Sequence, residues 1–134
     1  MSRVGLDANI LLRVLLNDDP GHSAIARKFL DELDGNHRGY VGISAVLETF
    51  WVLRSRYKVP RDILYETLRE LLTLENVDVE DAKPVAQALA MYAKGNMDFQ
   101  DALLAERNLE AGCNSTFTFD QKAVRAIPSM ELLS

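Results

Sequence analysis

Residues 3–20 read RVGLDANILLRVLLNDDP. Residues 3–7 are short, apolar and β-capable, which reads as a buried strand. Residues 9–16 follow as a helix, with Leu12, Leu15 and Leu16 on one face. Asp7 stands out. It is the only acidic residue before Asp18, and its neighbours are apolar. An ionised carboxylate in such surroundings is costly unless something pairs with it. Asn9 can cap the following helix, which leaves Asp7 without a capping role.

Working outward, the pattern of strand and helix repeats. NDDPGHS (17–23) carries turn chemistry and reads as a loop. Residues 23–33 form an amphipathic helix through Ile25, Phe29, Leu30 and Leu33. DGNHRG is a second loop, and residues 40–43 a second short strand, with Ser44 as N-cap of the next helix, SAVLETFWVLRSRYK. Pro60 opens the amphipathic segment RDILYETLRELLTL. A third strand covers 77–79, an alanine-rich helix 83–93, and KGNM is a break. A helix over 98–111 closes at Gly112. A fourth strand at 115–119, a short helix at 120–125 and an edge strand near 130–133 complete the chain. With no repeat or linker, residues 1–134 read as a single domain.

Short apolar strands alternating with helices predict an α/β fold, a parallel sheet of four to five strands with helices on both faces. In such folds ligands bind at the carboxyl ends of the strands. Asp7 ends the first strand and Asp120 follows the fourth, so this architecture allows two distant residues to meet.

The chain has 134 residues, a net charge of −5 and one cysteine, so no intramolecular disulfide forms. An acidic chain argues against a non-specific polyanion binder, whose domain is usually basic. It does not exclude a nucleic-acid enzyme, because divalent cations in an acidic site present positive charge to phosphate. His22 and His37 lack metal-ligand spacing, which disfavours zinc. No signal peptide or membrane-length apolar run is present, so the expectation is a soluble, cytoplasmic protein without a membrane partner.

Four further acids stand in informative places. Glu48 is the only ionisable group of AVLETFWVL, a segment apolar nearly all round, which suggests burial. The plain reading is a glutamate that reaches solvent or pairs with an arginine. Asp98 and Asp101 open a helix in DFQDALLAE, one as N-cap and one in the first turn. TFTFDQKA reads naturally as strand, N-cap and helix, with Asp120 as the cap. Each has an ordinary explanation alone. Together, four carboxylates at one sheet edge would repel and raise each other's pKa values. Mg²⁺ or Mn²⁺, which favour oxygen ligands, remove that conflict. Such a cluster is the usual machinery of phosphodiester hydrolysis.

In LDANILLRVLLNDDP, ISAVLETFWVL, DFQDALLAE and TFTFD, in this order and spacing, the sequence resembles PIN-domain ribonucleases, in particular VapC-type toxins of toxin–antitoxin pairs. The resemblance spans essentially the whole chain. It implies a three-layer α/β/α fold, Mg²⁺ or Mn²⁺ dependence, and endonucleolytic cleavage of RNA. It implies a homodimer and a cognate VapB-like antitoxin lying in a hydrophobic groove. By position, Asp7, Glu48, Asp98 and Asp120 match the catalytic, metal-binding acids. Asp101 matches a position acidic in many members, a further candidate metal ligand. Asn9 and Thr118 match supporting polar positions. The RNA-binding residues are not identified by it; Arg54, Arg56, Lys58, Lys94, Arg107, Lys122 and Arg125 are candidates for phosphate contacts.

The expected reaction is attack of water on the phosphorus, leaving 5′-phosphate and 3′-hydroxyl ends. Two rivals stand beside it. One is another Mg²⁺-dependent phosphoesterase, against which Asn9 stands where a second aspartate would be needed. The other is a catalytically silent module that binds RNA or a partner.

Overall fold

The computed structural model describes residues 1–16 and 18–134. The chain divides into two compact units, Met1–Glu80 and Asp81–Ser134.

The first unit runs β1 (Ser2–Gly5), α1 (Ala8–Leu16), α2 (Pro20–Asp31), β2 (His37–Val41), α3 (Ile43–Ser55), α4 (Arg61–Leu72) and β3 (Val77–Val79). Its strands form a parallel sheet in the order β1-β2-β3, with Val4 opposite Gly39 and Gly39 opposite Val77. Both crossovers step the same way across the sheet, so right-handed connections place their helices on one face. Accordingly α1 packs against α2, α3 and α4. Leu64, Leu68 and Leu71 recur on one face of α4 and are buried with Leu11, Val46 and Leu53. Burying each such side chain stabilises the fold by roughly 1.5–3 kcal/mol.

Gly39 is closely packed. A Cβ there would lie 3.0 Å from Leu6 Cδ1 and 3.2 Å from Leu33 Cδ1. Other sheet side chains form a polar network. Asp78 on β3 accepts from Arg38 on β2 (Nη2, 2.9 Å; Nε, 3.1 Å). Arg3 on β1 crosses the middle strand, stacking 4.5 Å over Tyr40 and reaching within 3.6 Å of Asp78. The hydrogen-bonded Arg38 guanidinium holds the Asp78 carboxyl below its usual range, and the partnership raises Arg38.

Several boundaries differ from those expected. The second strand occupies His37–Val41, not 40–43, because Arg38 is satisfied by Asp78 and needs no loop. The N-cap of α3 is Gly42, not Ser44. Glu80 takes the capping role from a distance, its Oε1 accepting from Ile43 N at 2.8 Å. The loop expected at NDDPGHS begins at Asn17, which lies outside the described residues. From Pro20 that stretch is helical, with Asp19 as N-cap, and Ser23 is buried, donating to the Arg13 carbonyl.

The second unit runs α5 (Ala82–Lys94), α6 (Phe99–Glu110), β4 (Thr116–Thr118), α7 (Gln121–Ala126) and β5 (Met130–Leu132). Helices α5 and α6 pack together, burying Val85, Leu89, Phe99 and Leu103, and Arg107 on α6 donates to Asp81 at 2.7 Å. Gly112 ends α6 at a φ of +98°, a conformation glycine adopts without strain. Strands β4 and β5 are parallel, with α7 as their crossover. The described residues form five strands, but not the single sheet of four to five strands expected. They are joined as a three-stranded and a two-stranded sheet rather than as one, since strands of only three residues offer short ladders.

Candidate active site

The acids singled out in the sequence fall into both units: Asp7 and Glu48 in the first, Asp98, Asp101 and Asp120 in the second. Three of them share one local construction. Helix α1 begins at Ala8, so Asp7 is its cap; Oδ1 accepts from Ile10 N at 3.1 Å, and its carbonyl accepts from Leu11 N. Asp98 caps α6, accepting from Gln100 N at 2.7 Å, and Asp120 caps α7, accepting from Ala123 N at 3.0 Å. In each case one carboxylate oxygen is held by an otherwise unsatisfied helix donor, which fixes the side chain. The second oxygen of Asp7 and of Asp120 has no hydrogen-bond partner among the described residues.

This corrects the expectation for Asp7. It does have a capping role, and Asn9, one position inside the helix, does not take it. Asp7 is also exposed, although its neighbours Leu6 and Ala8 are buried. The turn from strand to helix points the carboxylate away from the apolar side chains around it in sequence.

Glu48 departs from expectation in the same direction. Helix α3 is not buried all round: Val46, Thr49, Phe50, Val52 and Leu53 face inward, while Ser44, Glu48 and Trp51 form an exposed stripe. Glu48 has no ion pair or hydrogen bond among the described residues. Its carboxylate is therefore available to a ligand.

Asp101 is half-buried, and its carboxyl is pushed above the usual range. Burial is the main cause, followed by the charges of Asp98 and Asp120. Asp101 thus lies within electrostatic reach of Asp98 and Asp120, and a cation near it would favour its ionised form. Thr118 accepts from Asp120 N at 3.1 Å, steadying the cap. Among the described residues no group of three or more His, Cys, Asp or Glu side chains stands close enough to hold a metal ion. The donor chemistry nevertheless fits Mg²⁺ or Mn²⁺, since all five candidates offer oxygen only. Mg²⁺ commonly keeps several waters and takes few protein ligands.

Of the basic candidates, Arg107 is engaged by Asp81, and Arg56 stacks 5.9 Å from the Trp51 ring. The apolar helices 9–16 and 23–33, whose surplus apolar surface the sequence assigns to a dimer face, an antitoxin groove or a well-packed core, flank a groove between α1 and α2. This groove of about 480 Å³ is lined by Asn9, Ile10, Arg13, His22, Ile25, Ala26 and Phe29. Ile25, on the apolar stripe of α2, is 68% exposed. Helical periodicity is the same for a core stripe and for a groove wall, so the sequence carries no signal that separates them. Arg13 and Tyr57 both bond Asp18 beside this groove, and His22 bonds Asp19 at 2.7 Å.

No helix among the described residues is long and apolar enough to cross a membrane. Residues 4–127 match the PIN domain, a three-layer α/β/α fold. A protein of Aquifex aeolicus (strain VF5), named VapC ribonuclease, is 23% identical over 117 residues, covering 87% of each chain. With residues 4–127 of the 134 matched, the chain belongs to the PIN domain family.

Proposed function

We propose that residues 1–134 act as one domain and that the protein is a Mg²⁺- or Mn²⁺-dependent endoribonuclease, the toxin of a VapBC-type pair. The observation that carries this reading is the match of the chain to the PIN domain, with three of its candidate acids held as helix caps. Asp7, Asp98 and Asp120 are each locked by a helix N-terminus, within a chain matched to the PIN domain over 124 of its residues, 4–127. The relative named VapC ribonuclease supports the same reading.

In this mechanism Asp7, Glu48, Asp98 and Asp120 would hold the ion, with Asp101 as a further ligand. Such an ion would supply positive charge to the phosphate oxygens and acidity to water. The caps keep Asp7, Asp98 and Asp120 in fixed orientation, so little reorganisation is needed when charge develops. Glu48, without a partner, orients the attacking water and accepts its proton. Water is the nucleophile, not the ribose 2′-hydroxyl, so the products carry 5′-phosphate and 3′-hydroxyl ends. Asn9 and Thr118 support the site by hydrogen bonds.

The α1–α2 groove, with Ile10, Ile25 and Phe29 on its walls, suits the apolar side chains of a VapB-like antitoxin. Exposed Phe117 and Phe119 are candidates for the face of a homodimer. The site of action is the cytoplasm. The decisive experiment is cleavage of a mixed RNA pool with Mg²⁺, Mn²⁺ or EDTA, comparing wild type with Asp7→Asn. Cleavage lost to both EDTA and the substitution is the expected result. Equal cleavage by Asp7→Asn, or products with 2′,3′-cyclic phosphate, would sink the scheme. A folded, antitoxin-free protein that cleaves nothing would shift weight to the silent binding module.

A further inference from the structure

The second unit contains a cavity of about 450 Å³ lined by Gly95, Asn96, Met97, Lys122, Arg125 and Ala126. Its volume lies in the range of small-ligand sites. Two of its six lining residues are cations, one is an amide and none is a carboxylate, in a chain of net charge −5. Lys122 and Arg125 stand at i and i+3 on α7, so both reach the same side of the helix. Both are exposed, and neither has an ion pair or hydrogen bond among the described residues. The lining also holds Gly95, Met97 and Ala126, which carry no charge, and a Cβ at Gly95 would lie 3.0 Å from Met97 Cε. Two cations beside an uncharged lining suit a phosphate joined to a ribose or base.

The position gives the cavity a role. Met97 adjoins Asp98, and Lys122 lies two residues beyond Asp120. An RNA strand whose scissile phosphate lies at the acids brings further phosphates past them, each repelled by the acidic surface. We propose that this cavity, through Lys122 and Arg125, binds a non-scissile backbone phosphate of the RNA and holds the strand in place for cleavage. The proposal rests on the ribonuclease reading and assigns these two as positioning residues. Of the other basic candidates, Arg107 is held by Asp81.

The test is fluorescence anisotropy of a labelled mixed-sequence single-stranded oligoribonucleotide, with Mg²⁺ present and every protein carrying Asp7→Asn so that the RNA stays intact. The K122A/R125A pair is expected to raise Kd about tenfold. Losing two phosphate contacts is expected to flatten the slope of log K against log salt by about 1.4. The charge-keeping pair K122R/R125K is expected to stay near the parent in both. Thermal melting checks that these exposed substitutions leave the fold intact. An unchanged Kd and slope in K122A/R125A overturns the pocket while leaving the ribonuclease reading standing, provided the wild type cleaves RNA. Weaker binding in both pairs with an unmoved slope indicates lost packing and also overturns it. A parent that binds no RNA, from a wild type that cleaves none, overturns both readings.

Discussion

Asp7 serves a helix and, in the proposed mechanism, a metal ion, and two substitutions separate these roles. Asp7→Ala removes both. Its Oδ1 no longer accepts from Ile10 N, an interaction formed at 3.1 Å. Loss of a side-chain N-cap costs about 1 kcal/mol. In a domain of this size that lowers Tm by roughly 4 °C. Asp7→Asn keeps an oxygen of the same reach, and asparagine caps as well as aspartate. Only the favourable meeting of a negative charge with the helix N-terminus is lost, about 0.3–1 kcal/mol at an exposed site. The expected order of stability is wild type, then Asp7→Asn, then Asp7→Ala, with at least about 0.5 kcal/mol between the two variants. Activity is expected to ignore that order. In the proposed mechanism both variants weaken a metal ligand, and outer-shell changes alone cost 10–100-fold, so each is expected to lose roughly a hundredfold or more. Urea unfolding followed by circular dichroism reads the first quantity, and RNA cleavage rates read the second. An alanine variant as stable as wild type would refute the capping argument. An asparagine variant that cleaves at the wild-type rate would refute the site.

Other consequences are open to the same instruments. Gly39→Ala is expected to destabilise by about 1–2 kcal/mol in urea, because its Cβ meets the buried Leu6 and Leu33. The Asp78 carboxyl is depressed by Arg38, so its contribution is full above the unfolded pKa and is lost as pH falls through the lower folded value. Asp78→Asn is therefore expected to flatten the acid limb of a stability–pH profile, with no change of slope at neutral pH. Mg²⁺ at ten times its Kd is expected to stabilise the wild type by about 1.4 kcal/mol in thermal melts, and this gain is expected to vanish in Asp120→Asn. Ile25→Glu, at a 68% exposed position, is expected to leave Tm nearly unchanged while weakening capture of a co-expressed antitoxin.

The elements that were legible in the sequence were those whose signals are local. The α4 stripe of Leu64, Leu68 and Leu71, the Asp98 and Asp120 caps and the Gly112 stop all act within one turn of the chain. What was illegible depended on distant partners. His37 and Arg38 look like loop residues until Asp78, on another strand, is there to receive the arginine. Ser44 looks like a cap, but Glu80 supplies the acceptor. Asp7 and Glu48 were singled out for apparent burial, yet both are exposed. Apolar neighbours in sequence do not fix which way a side chain turns at a strand-to-helix corner or on a helix stripe. Their selection as site residues therefore rests on their place in the motif order, while the burial argument fails.

The reach of Arg3 over Tyr40 to Asp78 bears on how the sheet keeps its alignment. β3 has three residues, too few for its backbone ladder to reject a shifted pairing strongly. A one-residue slip would turn its side chains to the opposite face, but a two-residue slip would preserve the facing. Against that second error the side-chain network discriminates. Asp78 receives one arginine from the adjacent strand and another from the strand beyond it, so displacing β3 breaks both contacts at once. All three strands are thereby indexed to a single carboxylate. The corner after β1 that carries Asp7 and the start of α3 after β2, the helix of Glu48, inherit that alignment from the opposite edge of the sheet.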